Sequence, residues 1–240
     1  MDRALLTDLN QARRARQAVI RIIDPTSGAE RLVREASLAP EDPLHDELLA
    51  RFRAGKSGLV ETAEGKRLLT VYLPPPRIVV IGAVHISQAL APIAAIAGFD
   101  VTVIDPRTAF ASEERFAGVH LLASWPQDVI PADIALDAYT ALVAVTHDPK
   151  IDDFPLKAAL DAGCFYVGAL GSRKTHAARV ERLKAAGAAA EAIGQIAAPI
   201  GLAIGAQSPA EIAISIVAQV IEALRLRPTH LAPVPTDVWA

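Results

Sequence analysis

The chain has 240 residues, a net charge of -3, one cysteine and a mean hydropathy of +0.30. The length suits one large or two small domains with a proper core, and no apolar run reaches the roughly 18 residues that a membrane helix needs. The single cysteine excludes an internal disulfide and favours a cytoplasmic protein, while the acidic balance of residues 77–240, with 12 basic against 16 acidic side chains, argues against a nucleic-acid partner.

Residues 1–73 predict a small α+β domain at the N-terminus. Apolar periodicity favours two helices, at about 3–16 and about 43–54, and four strands, at 18–23, near 31–36, at 58–62 and at 67–73. Pro74, Pro75 and Pro76 follow, and three consecutive prolines predict a stiff extended linker between domains.

Residues 77–228 predict an α/β domain in which short apolar strands alternate with helices. The strands are expected at 77–81, 100–104, 118–122, 140–146, 164–169 and near 195–198, and the helices at 86–97, 154–162, 173–186 and 209–225. This alternation predicts a Rossmann-like, doubly wound parallel sheet with helices on both faces. Residues 229–240, which are rich in proline, predict an extended tail.

The segment 77–107 has the layout of a dinucleotide-binding βαβ unit, but it lacks two of the three glycines. Gly82 stands at the turn, whereas Val84 occupies the position where a glycine admits the diphosphate. His85 follows at the expected start of the helix. Asp105 comes at the end of the second strand, where an acidic side chain would hold a ribose hydroxyl, and Arg107 could pair with a phosphate instead. A simple tight turn at Gly82 and a local Asp-Pro turn at Asp105 are the structural alternatives.

Two further polar groups follow predicted strands. Thr146, His147 and Asp148 come directly after an apolar strand, where His147 could donate to an anion or act as an acid or base. Asp152 or Asp153 is expected to cap the next helix. The spacing of the histidines and aspartates is not that of a metal site.

The last of these groups, Gly171, Ser172 and Arg173, opens a helix that is rich in basic residues. Glycine and serine at a helix start, beside two cations, favour anion binding over a merely capped helix with a solvated basic face. Cys164 is expected to be a small apolar filler rather than a reactive thiol.

These motifs together resemble the XdhC/CoxI family of accessory proteins, which mature molybdenum hydroxylases such as xanthine dehydrogenase. The resemblance spans about 77–220. It rests on Gly82-Ala-x-His85, Asp105-Pro-Arg107, Thr146-His-Asp148, Val167-Gly-x-Leu-Gly-Ser-Arg173, Ala198-Pro-Ile-Gly-Leu202 and Pro209-Ala-Glu-Ile-Ala213. Members commonly have glycine where Val84 stands. Their Gly-Gly-Cys stretch has no visible counterpart in residues 1–76.

The resemblance implies a chaperone that binds molybdenum cofactor (molybdopterin), protects it during sulfuration and delivers it to a hydroxylase apo-enzyme. It also implies a sulfur-donating cysteine desulfurase as a partner, a homodimer, and no catalytic residues of its own. The pterin phosphate would lie at Gly171–Arg173 or at the Gly82 turn. The βαβ layout leaves two alternatives open: an oxidoreductase that binds NAD(P) or FAD, and a nucleotide-binding interaction module.

Overall fold

The computed structural model describes residues 2–226, so the predicted tail at 229–240 lies outside the described residues. The chain divides into two units, one ending at Pro74 and the other spanning Pro75–Leu224. Within the described residues, no helix is long and apolar enough to cross a membrane.

The N-terminal unit is a small α+β structure, as predicted. An antiparallel sheet with the order β2-β1-β4-β3 carries two helices. On the sheet, Val19 packs with Leu9 and Ala12 of the first helix. The elements are α1 (Arg3–Arg14), β1 (Val19–Ile23), β2 (Glu30–Arg34), a 3-10 turn (Glu35–Ser37), α2 (His45–Ala54), β3 (Gly58–Thr62) and β4 (Gly65–Tyr72).

The second unit confirms the Rossmann-like parallel sheet. Its five strands are β5 (Arg77–Ile81), β6 (Asp100–Ile104), β7 (His120–Leu122), β8 (Thr140–Ala144) and β9 (Tyr166–Ala169). Its helices are α3 (His85–Ile96), α4 (Pro126–Val129), α5 (Pro149–Asp161), α6 (Arg173–Ala185), α7 (Ala190–Ile193) and α8 (Pro209–Arg225). The strand order is β7-β6-β5-β8-β9, and every neighbouring pair is parallel.

The order of the strands reverses between β5 and β8, because the chain first builds outward on one side of β5 and then continues on the other. In open parallel sheets of this kind, ligands bind outside the carboxyl ends of the strands at this point of reversal. The topology therefore places the crevice beyond the carboxyl ends of β5 and β8.

Both faces of the sheet are covered, which explains why the strands read as continuous apolar runs. Ile78 and Val80 of β5 point to one face, where they pack in a cluster with apolar residues of α3 and α8. Val79 and Ile81 point to the other face, where α5, α6 and α7 complete a second cluster. This alternation follows from the two-residue period of a strand.

Three local predictions were wrong. Helix α5 begins at Pro149, five residues before the predicted start, since proline is favourable in the first helical turn. Its cap is Asp148, whose side chain accepts a hydrogen bond from the Lys150 N–H at 3.0 Å, so neither Asp152 nor Asp153 is the cap. The strand expected near 195–198 is only an isolated bridge between Ala197 and Gly168.

The start of α8 is as predicted. Ser208 and Glu211 form a reciprocal capping box, with Glu211 N–H donating to Ser208 Oγ and Ser208 N–H donating to Glu211 Oε2.

Candidate functional site

The strand register places four polar turns side by side. Ile104, Ile81, Ala144 and Ala169 form one row across the sheet, each the last residue of its strand. Every turn that follows this row therefore leaves the sheet at the same edge. The predicted site residues lie on these turns or, for His85 and Arg173, at the first position of the helix that follows, so the fold brings them to one edge of the sheet.

The turn between β5 and α3 is tight because the chain passes close to its neighbour. Gly82 has φ +117°, and a Cβ there would lie 2.8 Å from Thr146 Cγ2. The Val84 N–H donates to Ser87 Oγ at 2.8 Å, and the Ser87 side chain is fully buried. Val84, at the N-cap position, has no side-chain oxygen, so no side chain among the described residues caps the first N–H groups of α3, and Ser87 pairs only the N–H of Val84 itself. His85 is exposed at the first position of the helix.

Asp105 fastens this turn from the neighbouring strand. Its Oδ2 accepts the Ala83 N–H at 2.7 Å, and Arg107 binds both carboxylate oxygens, with Nε 2.9 Å from Oδ1 and Nη2 2.7 Å from Oδ2. Complete burial acts to raise the pKa of Asp105, but the hydrogen bonds from Arg107 and Ala83 outweigh it and hold the pKa below its usual value. A ribose hydroxyl could reach this carboxylate only by displacing Arg107.

The turn after β8 contains Thr146, His147 and Asp148. His147 is exposed and adopts φ +66°, a left-handed conformation that is uncommon for a residue with a side chain. Thr146 Oγ1 accepts the Asp148 N–H at 3.0 Å and donates to Asp152 Oδ1 at 2.7 Å. The threonine therefore ties the turn to the first turn of α5 and leaves the imidazole of His147 facing solvent.

The turn after β9 opens helix α6. Gly171 has φ +139°, and Ser172 caps the helix by accepting the Thr175 N–H at 3.2 Å. Arg173 and Lys174 are exposed, and within the described residues their side chains form no hydrogen bond or ion pair. The first backbone N–H groups of a helix have no intrahelical acceptor and carry partial positive charge. This turn therefore offers both unpaired donors and exposed cations to an anion.

The two helix starts at this edge differ in what they can still bind. At α3, the N–H groups of Ala83 and Val84 are already used by Asp105 and Ser87. At α6, the Thr175 N–H is used by the cap, but the N–H groups of Gly171 and Ser172, in the turn before the helix, have no acceptor among the described residues. Of the two turns, the one at Gly171–Arg173 is thus the better site for a phosphate group.

Comparison with known protein families identifies the domain that carries these turns. The family model described as "XdhC Rossmann domain" matches residues 78–220, which is more than half of the chain. The chain belongs to the XdhC family.

Two curated relatives of the chain have names that state a function. A Bacillus subtilis protein, named as a probable subunit of xanthine dehydrogenase, is 31% identical over 150 residues, which cover 62% of this chain and 43% of the relative. The "Molybdenum cofactor insertion chaperone PaoD" of Escherichia coli is 31% identical over 149 residues, covering 62% of this chain and 40% of PaoD. The "Uncharacterized protein YqeB" of Escherichia coli is 30% identical over 172 residues, which cover 68% of this chain and 31% of YqeB. The chain thus matches less than half the length of each of these curated relatives.

A solved structure extends the likeness to the N-terminal unit. The crystal structure of a xanthine dehydrogenase from Bacillus halodurans matches 97% of this chain and 68% of its own length, with a TM-score of 0.61 and 25% identity. The XdhC Rossmann domain accounts for the parallel sheet.

Sequence reasoning missed two buried charged residues in this XdhC domain. Asp152 in α5 is 1% exposed, and Arg179 in α6 is 2% exposed. A signal for Arg179 was present, because it lies four residues before the buried Leu183 and so on the same face of the helix. The basic residues of α6 suggest an anion cradle or a solvated face, whereas Arg179 points inward.

Proposed function

We propose that this protein binds molybdenum cofactor as cargo and serves as an accessory protein of a molybdenum hydroxylase. The observation that carries the proposal is the unsatisfied anion-binding turn at Gly171–Arg173, at the strand-reversal edge of an XdhC Rossmann domain. The name of PaoD, a molybdenum cofactor insertion chaperone, supports the same ligand class.

In this proposal the phosphate of the pterin lies at the start of α6. The backbone N–H groups of the first turn and the side chain of Arg173 bind it, because charge-assisted hydrogen bonds are the strong ones at such sites. His85 and His147, both exposed on neighbouring turns, line the same edge and would contact the rest of the cofactor. Asp105 and Arg107 act indirectly by holding the Gly82 turn.

We further propose the finer steps that the family resemblance implies. The protein would shield the cofactor while a cysteine desulfurase provides sulfur, and would then deliver it to the apo-hydroxylase in the cytoplasm, with no catalytic turnover of its own. A homodimer is part of this proposal. Each of these steps depends on cofactor binding, so binding is the first property to test.

The test is to express the protein in a host that makes molybdenum cofactor and to measure the pterin in the purified protein as its fluorescent oxidation product. We expect pterin in the wild-type protein. An Arg173→Ala variant should bind the cofactor more than about tenfold more weakly, since a charge-assisted contact contributes roughly 1.5–3 kcal/mol. Arg182→Ala is the matched control, because Arg182 lies on the same helix but pairs with Asp153 at 2.5 Å.

Absence of pterin from the wild-type protein, together with failure to protect added cofactor, would refute the proposal. Calorimetric titration with NAD, NADP and FAD tests the oxidoreductase alternative. Micromolar binding of one of these nucleotides would favour that alternative, although Val84 and the Asp105–Arg107 pair both argue against it.

A further inference from the structure

A set of buried polar atoms without partners lies close to the anion-binding turn. Asp152 Oδ2 and the Nε and Nη1 atoms of Arg179 make no hydrogen bond within the described residues. Both side chains are at least 98% buried. Buried polar atoms are nearly always paired in folded proteins, so an unpaired set on two adjacent helices calls for an explanation.

Arg179 is attached to the turn that precedes α6. Its Nη2 donates to the carbonyl oxygen of Leu170 at 2.8 Å. The same nitrogen lies 3.8 Å from the position that a Cβ on Gly171 would take. The guanidinium group is therefore packed directly against the backbone that leads into Ser172 and Arg173.

Asp152 is attached to the neighbouring turn. Its Oδ1 accepts the Thr146 hydroxyl, and that hydroxyl oxygen in turn accepts the Asp148 N–H. Asp152 and Arg179 influence each other electrostatically but share no hydrogen bond. Asp152 is thus bonded to the Thr146–Asp148 turn and Arg179 to the Leu170–Ser172 turn, and the two side chains interact through their charges.

The charges of this pair act on whatever binds at the turn. A buried cation behind a helix start adds to the positive potential of that end, and a buried carboxylate beside it opposes the cation. Burial raises the pKa of Asp152 to about 6, although its bond to Thr146 and the charge of Arg179 act the other way. The other charged groups near the pair are Arg107, His176 and the ion pair of Asp153 with Arg182.

We propose that Arg179 and Asp152 are positioning residues for anion binding at the start of α6. Arg179 holds the turn and supplies positive charge behind it, and Asp152 holds the adjacent turn and sets the net charge of the pair. This inference rests on the proposed function only in taking the cofactor phosphate as the natural anion. It is tested with a simpler probe.

The probe is sulfate, because its charge does not change between pH 5 and pH 8. Binding to the full-length protein is followed by chemical-shift titration at constant ionic strength. Arg179→Met should weaken sulfate binding at least about tenfold, and Arg179→Lys should recover part of the loss, since a lysine restores the charge but not the planar donor group. Lys184→Met is the control and should stay within about twofold of the wild type, because Lys184 is an exposed cation in the last turn of α6 and pairs with Glu181.

The second arm compares the wild type with Asp152→Asn, which keeps the shape and removes the charge. At pH 7.5 the variant should bind sulfate at least about threefold more tightly, because a nearby negative charge has been removed. The ratio of the two affinities should fall toward one at pH 5, where Asp152 is protonated in the wild type. Asp161→Asn, an exposed carboxylate at the far end of α5, should bind sulfate like the wild type at every pH.

An affinity ratio that does not change with pH, or sulfate binding that Arg179→Met leaves intact, would overturn the inference, as would a wild-type protein without saturable sulfate binding. If Arg179→Met does not fold, the ratio of sulfate affinities between Asp152→Asn, which keeps the shape of the side chain, and the wild type still tests the inference. Failure of the proposed function looks different: sulfate binding would follow the expected pattern while the purified protein carried no pterin. Pterin retained at wild-type affinity by Arg179→Met would refute this inference alone.

Discussion

The contact of Gly82 with Thr146 allows a sharp test of the strand-reversal point. Adding a methyl group at Gly82 would place its Cβ 2.8 Å from Thr146 Cγ2, and 3.4 Å from both the Thr146 nitrogen and Val145 Cγ2. Residue 82 also has φ +117°, so Gly82→Ala suffers backbone strain in addition to the steric clash. The substitution should therefore push the turn after β5 away from the turn after β8.

A second glycine separates these two effects. Gly98 has φ +87°, and a Cβ there would meet nothing within 4 Å. Gly98→Ala should therefore lower the free energy of unfolding by the backbone strain alone, about 1–2 kcal/mol. Gly82→Ala adds the cost of overpacking, about 1–3 kcal/mol, for a total of about 2–5 kcal/mol.

The assay is urea unfolding of both variants and their parent protein in a Trp239→Phe background, so that the tryptophan fluorescence comes from Trp125, which belongs to the unit that contains both glycines. We expect Gly82→Ala to be the less stable variant. Equal losses of stability for the two variants would refute the steric argument.

Two further predictions concern side chains near the sheet. Arg107→Ala leaves the buried Asp105 carboxylate without its ion-pair partner and should lower the free energy of unfolding by about 3 kcal/mol at pH 7. The folded-state pKa of Asp105 is depressed, so the stability that its carboxylate contributes is present above the unfolded value of 3.8 and is lost as the pH falls. Urea titrations at several pH values should therefore show that the difference in unfolding free energy between the wild type and Arg107→Ala narrows below about pH 4. A difference in unfolding free energy that does not depend on pH would contradict the assignment of this effect to the Asp105 carboxylate. Burial raises the pKa of the Cys164 thiol to about 12. Iodoacetamide at pH 8 should therefore label Cys164 in denaturant but hardly at all in the native protein. Rapid labelling of the native protein would instead show that the thiol is reactive.

The sequence was a good guide to the second unit because its signals are local and strong. Strand β5 and helix α8 have the predicted bounds, since a five-residue apolar run and a capping box each define an element without outside help. The pattern predicts too late a start for helix α5 because its first turn contains Pro149 and Asp152 and follows Asp148, a composition that suggests a loop. Tertiary packing of Ile151 and the cap from Asp148 decide otherwise.

Positions of the site residues were easier to predict than their partners. Any polar residue that follows a parallel strand must lie at the carboxyl edge of the sheet, so the placement of Thr146 and Gly171 follows from topology alone. Side-chain pairing depends on distances that no linear pattern contains. The mutual pairing of Asp105 with Arg107 belongs to this second class.

The hydrogen bonds of the βαβ unit give a physical reason for Val84 and Ser87 at two of its glycine positions. A dinucleotide site needs free N–H groups at the start of the first helix and a free acidic side chain on the second strand. Here Asp105 and Ser87 accept the N–H groups of Ala83 and Val84 in the turn before α3, and Arg107 pairs with the carboxylate, so the turn itself is paired without a ligand while the first N–H groups of the helix have no side-chain cap. The unpaired donors and cations lie instead at the start of α6, with a buried arginine behind them. This distribution of paired and unpaired donors favours the turn before α6 over the Gly82 turn as the anion site that we propose.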